Sequence, residues 1–241
     1  MLSFNRTATR AVLFDLDDTL FDHQYSSQCG LATLRQRYTC FQQKSLSELQ
    51  QTHLRFLDTW HDKVLQGVLS LDEARTARFR QLFEWYGERA SDAMVDTATT
   101  VYRQIYQAAR RPVPGVLPLL QQLRASVKIG VVTNNLLSEQ QEKLAYCGLT
   151  PFVDLLIVSE EVGVAKPDPA IFQAALQRLE YTVSEVVMVG DSWRADILGA
   201  TNLGIRAIWL NRHALPCPDP MLATEIHAFE PIETVITLLL H

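Results

Sequence analysis

An apolar run that ends in three carboxylates constrains this chain more than any other feature. Residues 12–20 read VLFDLDDTL, so that Asp15, Asp17 and Asp18 directly follow or interrupt a run of Val, Leu and Phe. An apolar stretch of this kind predicts a strand buried on both faces. Clustered acids at its end repel one another, which costs free energy unless a cation neutralises them. Because oxygen ligands suit Mg²⁺, the segment predicts a site for magnesium and phosphate.

Two further apolar runs end in groups that suit the same chemistry. The run KIGVVTNN predicts a strand that ends at Thr133, and the run VVMVGD predicts one that ends at Asp191. Asp196 follows the second run closely, and Lys166 lies between the two runs, in VAKPDP. In open parallel sheets, ligands bind at the carboxyl ends of the strands. We therefore expect these side chains to lie at one edge of a sheet.

Strand and helix patterns alternate from Gly115 onward, which predicts an α/β fold with a doubly wound parallel sheet. The further strands expected are residues 155–159 and 207–210, and the helices expected after the third run are residues 195–203 and 233–239. Ser138 with Gln141 fits a capping box that opens the helix after Thr133. Asp168 followed by Pro169 fits the start of another helix.

A stretch of about 90 residues after the first strand has a different character. Between residues 22 and 111 apolar residues recur at helical spacing, and no convincing strand pattern is present. This predicts an all-helical cap domain, residues 22–111, inserted into a core domain formed by residues 1–21 and 112–241. Phe21, Asp22 and His23 are candidates for the hinge or for the pocket lining. His53 and His61 lie on helical faces that we expect to be solvated.

The four motifs together resemble those of the haloacid dehalogenase (HAD) superfamily of hydrolases. The matching residues are the segment DLDDT that begins at Asp15, Thr133 at a strand end, Lys166 before a proline, and the segment GDSWRAD that ends at Asp196. The helical insertion after the first motif is similar to the type-1 cap of subfamily I phosphatases. The resemblance implies a Rossmann-like core with a helical cap.

The resemblance also implies roles for the individual residues. Asp15 is the expected nucleophile, and Asp17 the acid that protonates the leaving oxygen and later activates water. Thr133, Asn134 and Lys166 are the expected phosphate-binding residues, and Thr133 and Lys166 also count as catalytic. Mg²⁺ is the expected cofactor.

In the metal site that the resemblance implies, the ligands are Asp15, the backbone carbonyl of Asp17, and Asp191. Asp196 is expected to support this site without binding the metal directly.

Charge and composition limit the classes of molecule that we expect the 241-residue chain to bind. A net charge of −5 and a pI near 5.7 argue against binding to a nucleic acid polymer, whose partners are basic. The longest apolar runs are too short to span a bilayer, so we expect no membrane partner. The four cysteines show no metal-binding spacing, which is typical of reduced thiols in a cytoplasmic protein. The expected partner is a small phosphorylated metabolite.

The resulting hypothesis is a Mg²⁺-dependent phosphohydrolase that cleaves a small phosphate monoester, of the nucleotide or sugar phosphate type, through an aspartyl-phosphate. A phosphomutase of the β-phosphoglucomutase type has the same motifs and stays an alternative, as does a non-catalytic binding module on this fold. The acid at Asp17 argues against a haloacid dehalogenase, since those relatives lack an acid there. The physiological substrate and the choice between monomer and homodimer stay open.

Overall fold

A six-stranded parallel sheet forms the centre of the computed structural model, which describes residues 8–241. The strands are β1 (Ala11–Phe14), β2 (Lys128–Thr133), β3 (Leu155–Val158), β4 (Val186–Gly190), β5 (Arg206–Leu210) and β6 (Thr224–Ile226). Their order across the sheet is β3-β2-β1-β4-β5-β6, and every pairing is parallel. After β1, the chain adds β2 and β3 on one side of β1 and then β4, β5 and β6 on the other side. The direction in which strands are added therefore reverses between β1 and β4. The predicted doubly wound α/β fold is confirmed.

The two central strands are buried along their whole length because their side chains are apolar on both faces. All residues of β1 and β4 are buried, and Leu13 of β1 is in register with Gly130 of β2 and Met188 of β4. On one face, Leu13 and Met188 belong to an apolar cluster with Phe172. The Phe14 ring packs edge-on against Phe229. Because β1 and β4 are held in place by this burial, the positions at which their following loops begin are well defined.

Helices account for most of the remaining chain. The α-helices are α1 (His23–Arg37), α2 (Thr39–Gln42), α3 (Leu46–Leu65), α4 (Leu71–Trp85), α5 (Asp92–Ala108), α6 (Val116–Leu123), α7 (Leu137–Tyr146), α8 (Ser159–Val162), α9 (Pro169–Leu179), α10 (Gly199–Thr201) and α11 (Ile232–Leu240). A π-helical segment, Trp193–Leu198, leads into α10, and short 3₁₀ turns occupy Thr150–Phe152 and Val183–Glu185.

The start of α9 follows the sequence prediction, but the start of α7 does not. The Asp168 side chain accepts a hydrogen bond from the backbone of Ala170 at 2.9 Å, as an N-cap does. The capping box predicted at Ser138 is wrong, because α7 already begins at Leu137 and Ser138 lies inside it. The N–H of Leu137 donates instead to the Glu160 carboxylate at 2.8 Å. A residue distant in sequence therefore takes the place of the local cap.

The chain forms two compact units, one made of residues 8–22 with Arg111–His241 and the other of His23–Arg110. The second unit contains α1 to α5, and two of its helices begin with full capping boxes, at Ser45 and at Ser70. His53, which we expected to be solvated, is only 1% exposed and lies against the rings of Phe79 and Tyr102. Within residues 8–241, no helix has the length and apolar character that a membrane span requires.

Candidate active site

Three neighbouring strands bring polar residues to one edge of the sheet. Asp15 follows β1, Thr133 is the last residue of β2, and Asp191 follows β4. Because β1 lies between β2 and β4, the edge they share is the point where the strand order reverses. Asp15 and Thr133 are both buried, and the N–H of Asp15 donates to the carbonyl of Val189 at 2.9 Å. The sheet thus continues its pairing up to the first carboxylate.

Lys166 is a buried cation at this edge. Its Nζ lies 2.5 Å from Oδ1 of Asp15 and 2.7 Å from Oδ1 of Asp196, and it donates to the carbonyl of Val132 at 2.7 Å. Burial alone would lower the pKa of Lys166, but the two carboxylates outweigh burial and raise this pKa above its ordinary value. Lys166 is therefore a permanent positive charge beside the Asp15 carboxylate.

Three carboxylates crowd around this single ammonium. One oxygen from each of Asp15, Asp191 and Asp196 lies within 4.8 Å of the others. Burial raises the pKa of Asp15 to about 7, opposed by Lys166 and reinforced by Asp196. Burial, together with repulsion from Asp15 and Asp196, raises the pKa of Asp191 well above its ordinary value. One ammonium cannot balance three carboxylates, so this set of oxygen donors is compatible with a divalent cation.

Asp196 has the contacts of a supporting residue. It is completely buried, and while one oxygen pairs with Lys166, the other accepts a hydrogen bond from the N–H of Ser192 at 3.0 Å. Gly190, the last residue of β4, lies directly against this carboxylate, so that a Cβ atom at position 190 would overlap it. The absence of a side chain at Gly190 is what allows Asp196 to reach back beneath the loop after β4.

The loop after β1 is a tight turn tied to the loop after β4. The carbonyl of Leu16 accepts hydrogen bonds from the N–H groups of Thr19 and Phe21, and Asp18 takes a left-handed conformation with φ 62°. The Thr19 hydroxyl accepts a hydrogen bond from the N–H of Asp191 at 3.1 Å and donates to its carboxylate at 3.4 Å. Thr19 therefore holds the two acid-bearing loops together.

A contact that the sequence did not predict anchors the end of this turn. The Arg212 guanidinium lies 3.0 Å from the Asp22 carboxylate and 3.9 Å from that of Asp18. The Asp22 side chain is only 2% exposed, and it also pairs with Arg111 at 2.8 Å. Two guanidinium groups thus compensate one buried carboxylate. The contacts of Asp22 therefore stabilise the structure at this turn, and Asp18 belongs to the same network of ion pairs.

Asn134 uses its side chain to hold the Lys166 segment. Its amide oxygen accepts from the N–H of Lys166 at 2.7 Å, and its amide nitrogen donates to the carbonyl of Lys166 at 2.9 Å. This pair of hydrogen bonds joins the loop after β2 to the segment that carries the buried cation. The phosphate-binding role expected of Asn134 stays a prediction, whereas the positioning of Lys166 is a direct contact.

Asp17 has two partners that the sequence did not single out, Gln140 and Lys143 of α7. The Lys143 ammonium lies 2.6 and 2.7 Å from the two carboxylate oxygens of Asp17. The amide nitrogen of Gln140 donates to Asp17 at 3.1 Å and to the Thr133 hydroxyl at 2.6 Å. Only the structure shows that they occupy buried positions of α7 beside Leu144, where a helix in an α/β core usually has apolar residues. In the sequence, Gln140 and Lys143 resemble ordinary exposed helix residues.

Comparison with known proteins finds related sequences that cover most of the chain. Residues 9–204 match the family model described as haloacid dehalogenase-like hydrolase. The pyrimidine 5'-nucleotidase YjjG of Escherichia coli (strain K12) is 31% identical over 215 residues, which cover 88% of this chain and 91% of that protein. The glyceraldehyde 3-phosphate phosphatase of Methanopyrus kandleri is 30% identical over 223 residues, with 92% of each chain covered.

A solved structure gives the same result. The crystal structure of the HAD-hydrolase YfnB from Bacillus subtilis, bound to magnesium, superposes with a TM-score of 0.75 and 25% sequence identity. The match covers 96% of this chain and 100% of that one. The fold and the site thus define a hydrolase with an acid-lined edge on a doubly wound sheet. The chain belongs to the haloacid dehalogenase-like hydrolase family, which confirms the resemblance read from its motifs.

Proposed function

We propose that this chain is a Mg²⁺-dependent phosphohydrolase that cleaves a small phosphate monoester through an aspartyl-phosphate intermediate. The observation that supports this most is the buried contact of 2.5 Å between Lys166 and the Asp15 carboxylate at the switch point of the sheet. A nucleophilic carboxylate must be held in place and must approach an anionic phosphate, and a permanent cation beside it serves both needs.

Asp15 and Asp17 would have different roles in the reaction. A carboxylate oxygen of Asp15 would form a new bond to phosphorus while the bond from phosphorus to the leaving oxygen breaks. Asp17 would donate a proton to that leaving oxygen. In the second step Asp17 would take a proton from the water that attacks the aspartyl-phosphate, which releases inorganic phosphate and restores Asp15. The Thr133 hydroxyl and the Lys166 ammonium would bind the phosphoryl oxygens.

The donor set fits a hard divalent cation. Asp15 and Asp191, whose carboxylate oxygens lie in one cluster with that of Asp196, would hold Mg²⁺. The resemblance adds the backbone carbonyl of Asp17 as a ligand and gives Asp196 a supporting role. When bound, the cation would offset the negative charge of the phosphoryl group. The magnesium bound to the related YfnB supports this choice of metal.

The substrate class is proposed from the relatives. YjjG is a pyrimidine 5'-nucleotidase, and the Methanopyrus kandleri relative is a glyceraldehyde 3-phosphate phosphatase, so both act on small phosphate monoesters. We extend this class, nucleotide or sugar phosphate, to the present chain. Two expectations stay predictions: the helical segment 22–111 as a substrate-selecting cap, and a cytoplasmic location, supported by the four free cysteines.

The experiment that tests the proposal is a phosphate-release screen of the purified chain with Mg²⁺. The panel includes nucleoside monophosphates, sugar phosphates and glyceraldehyde 3-phosphate, and ³¹P NMR identifies the products. Inorganic phosphate as the product supports the proposal. An isomeric phosphate ester with no inorganic phosphate would instead identify a phosphomutase, and binding without any turnover would identify a binding module.

Removal of the metal is expected to stop turnover. Activity should disappear in excess EDTA and return with Mg²⁺ but not with Ca²⁺, whose larger and looser coordination shell does not suit a compact site. Asp191→Ala should raise the Mg²⁺ concentration needed for half-maximal activity sharply or abolish activity. Titration of Mg²⁺ into metal-free enzyme measures both effects. Full activity of the wild type in EDTA would contradict the metal assignment.

Asp17→Asn is expected to lower kcat by about 10²-fold or more on alkyl phosphates, because the variant has no acidic proton for the leaving oxygen. Aryl phosphates need less protonation, so their rate of aspartyl-phosphate formation should fall less. Rapid-quench measurement of that first step with matched alkyl and aryl substrates gives the comparison. Equal losses on both would argue against Asp17 as the proton donor.

A further inference from the structure

Two polar residues of α7 lie on its buried face, where a helix normally has apolar side chains. Lys143 is 3% exposed and Gln140 is completely buried. Lysine and glutamine are seldom buried unless their polar groups have partners, because removing these groups from water without a partner is unfavourable. Their partners therefore indicate what the helix gains by burying them.

The partner of Lys143 is Asp17. The ammonium contacts both carboxylate oxygens, at 2.6 and 2.7 Å, and the side chains are 4% and 28% exposed respectively. The Lys143 Nζ also lies 5.4 Å from the centre of the Phe21 ring. An ammonium buried in this way holds its carboxylate more strongly than a surface pair does, because solvent screens it little. The position of the Asp17 carboxylate is thus set by a residue that is 126 positions away in the sequence.

The contacts of Gln140 determine a hydrogen-bond direction. Its amide group faces the Asp17 carboxylate at 3.1 Å, and only the NH₂ end can face an anion favourably. The same nitrogen lies 2.6 Å from the Thr133 hydroxyl oxygen, which must then accept this hydrogen bond. The hydroxyl hydrogen of Thr133 is left to donate elsewhere. Gln140 therefore makes Thr133 a donor toward the site.

We propose that Lys143 and Gln140 form a positioning pair for the hydrolytic reaction. Lys143 holds Asp17 at the place from which, in its protonated form, it meets the leaving oxygen, and Lys143 pairs with the Asp17 carboxylate once that proton has been given up. Gln140 links Asp17 to Thr133 so that the Thr133 hydroxyl points its hydrogen at the phosphoryl group. This inference rests on the proposed phosphohydrolase function, which it deepens. The pair does not touch the reacting atoms; it acts through Asp17 and Thr133.

The kinetic test uses Lys143→Met and Gln140→Met, which keep the length of each side chain and remove its polar end. Lys143→Met should slow aspartyl-phosphate formation, measured by rapid quench, at least 10-fold on alkyl phosphates and less on aryl phosphates, because it displaces the proton donor. Gln140→Met should lower kcat on both substrates by similar factors and raise KM, because it also disorients Thr133. Matched controls are Lys128→Met, whose exposed ammonium pairs with Asp154, and the exposed Gln141→Met of the same helix. Both controls should keep wild-type kinetics.

A stability test detects the Lys143–Asp17 pair without any turnover. Asp17→Asn leaves the buried Lys143 ammonium without an anion. The melting temperature of this variant should therefore fall below that of the wild type. The double variant Asp17→Asn/Lys143→Met removes both charges and should melt higher than Asp17→Asn alone. If the second substitution lowers the melting temperature further, the pair does not exist as described and the proposal is overturned.

The outcomes separate this proposal from the function on which it rests. If the wild type releases no phosphate from any substrate, the proposed function fails and the positioning role fails with it. If the wild type and both controls are active, Asp15→Asn is inactive, and Lys143→Met matches the wild type on alkyl and aryl phosphates, only the positioning role is wrong. Equal losses in the rate of aspartyl-phosphate formation on alkyl and aryl phosphates in Lys143→Met would show that the residue is merely structural.

Discussion

Asp15→Asn is expected to reduce phosphate release by about 10⁴-fold or more, because an amide oxygen cannot replace the nucleophilic carboxylate. The fold should survive the change. Lys166 keeps its second partner, Asp196, at 2.7 Å, and the variant removes one of three mutually repelling carboxylates. Steady-state phosphate release and the melting temperature measure the two effects. Asp72→Asn is the matched control, since its side chain is 90% exposed on a surface helix.

The same substitution should change how stability depends on pH in the metal-free protein. Burial raises the pKa of Asp15 to about 7, opposed by Lys166 and reinforced by Asp196, from an ordinary value of 3.8. Between these two values the folded state binds more protons than the unfolded state, so this group makes the wild type less stable as the pH rises. The Asn variant has no such group, and its melting temperature in EDTA should fall less between pH 4 and pH 7.

Two results would contradict this account of Asp15. A variant with more than a small fraction of wild-type turnover would show that another group attacks the phosphate. A wild type and a variant whose melting temperatures change in parallel with pH would show that Asp15 titrates near its ordinary value in the folded protein.

Lys166→Met is expected to have the largest effect on stability. The lysine side chain is 2% exposed, and its loss leaves the carboxylates of Asp15 and Asp196 buried without their cation. Breaking a buried ion pair from one side costs about 3–5 kcal/mol of unfolding free energy. Turnover should also be lost, since the variant cannot offset the charge of the incoming phosphate. Chemical denaturation in EDTA measures the stability, and Lys44→Met, 48% exposed, is the control.

The origin of the effect can be tested with pH and with a second substitution. Carboxylates that have lost their cation take up protons more readily, so the Lys166→Met variant should recover stability as the pH falls. Lys166→Met/Asp196→Asn should be more stable than the single variant, because it removes one of the uncompensated charges. If the single variant is as stable as the wild type at neutral pH, the buried pair contributes nothing and its assignment is wrong.

Much of the fold was predictable because it depends on local patterns. The apolar runs that became β1, β2 and β4 are short and flanked by polar residues, so their type and their ends could be read directly. The cap of α9 is also local, because the Asp168 side chain accepts a hydrogen bond from Ala170, two residues further along the chain. The edge strand β6 was missed because it is three residues long and follows a loop rich in proline. The capping box at Ser138 was wrong because Glu160, a residue from a later helix, satisfies the start of α7.

The chemical identity of the site was also visible in the sequence, whereas its supporting contacts were not. Asp15, Asp191 and Lys166 occur at strand ends or in a recognisable motif, and parallel topology then brings them to one edge. Arg212 contacts Asp22 across 190 positions of sequence, and Gln140 contacts Asp17 across 123. No periodicity connects residues so far apart, and each of them alone resembles an ordinary surface residue.

The class of fold, the family and the acids at the strand ends could be read from the sequence, because continuous apolar runs, helical spacing and clustered carboxylates are properties of residues that are close in the chain. The tertiary structure alone decided which cation meets which acid. Lys166 pairs with Asp15 and Asp196, whereas Lys143, which has the same side chain, pairs with Asp17. A buried charge takes the partner that the packing of the sheet and helices places within about 3 Å, and only the folded chain specifies that distance.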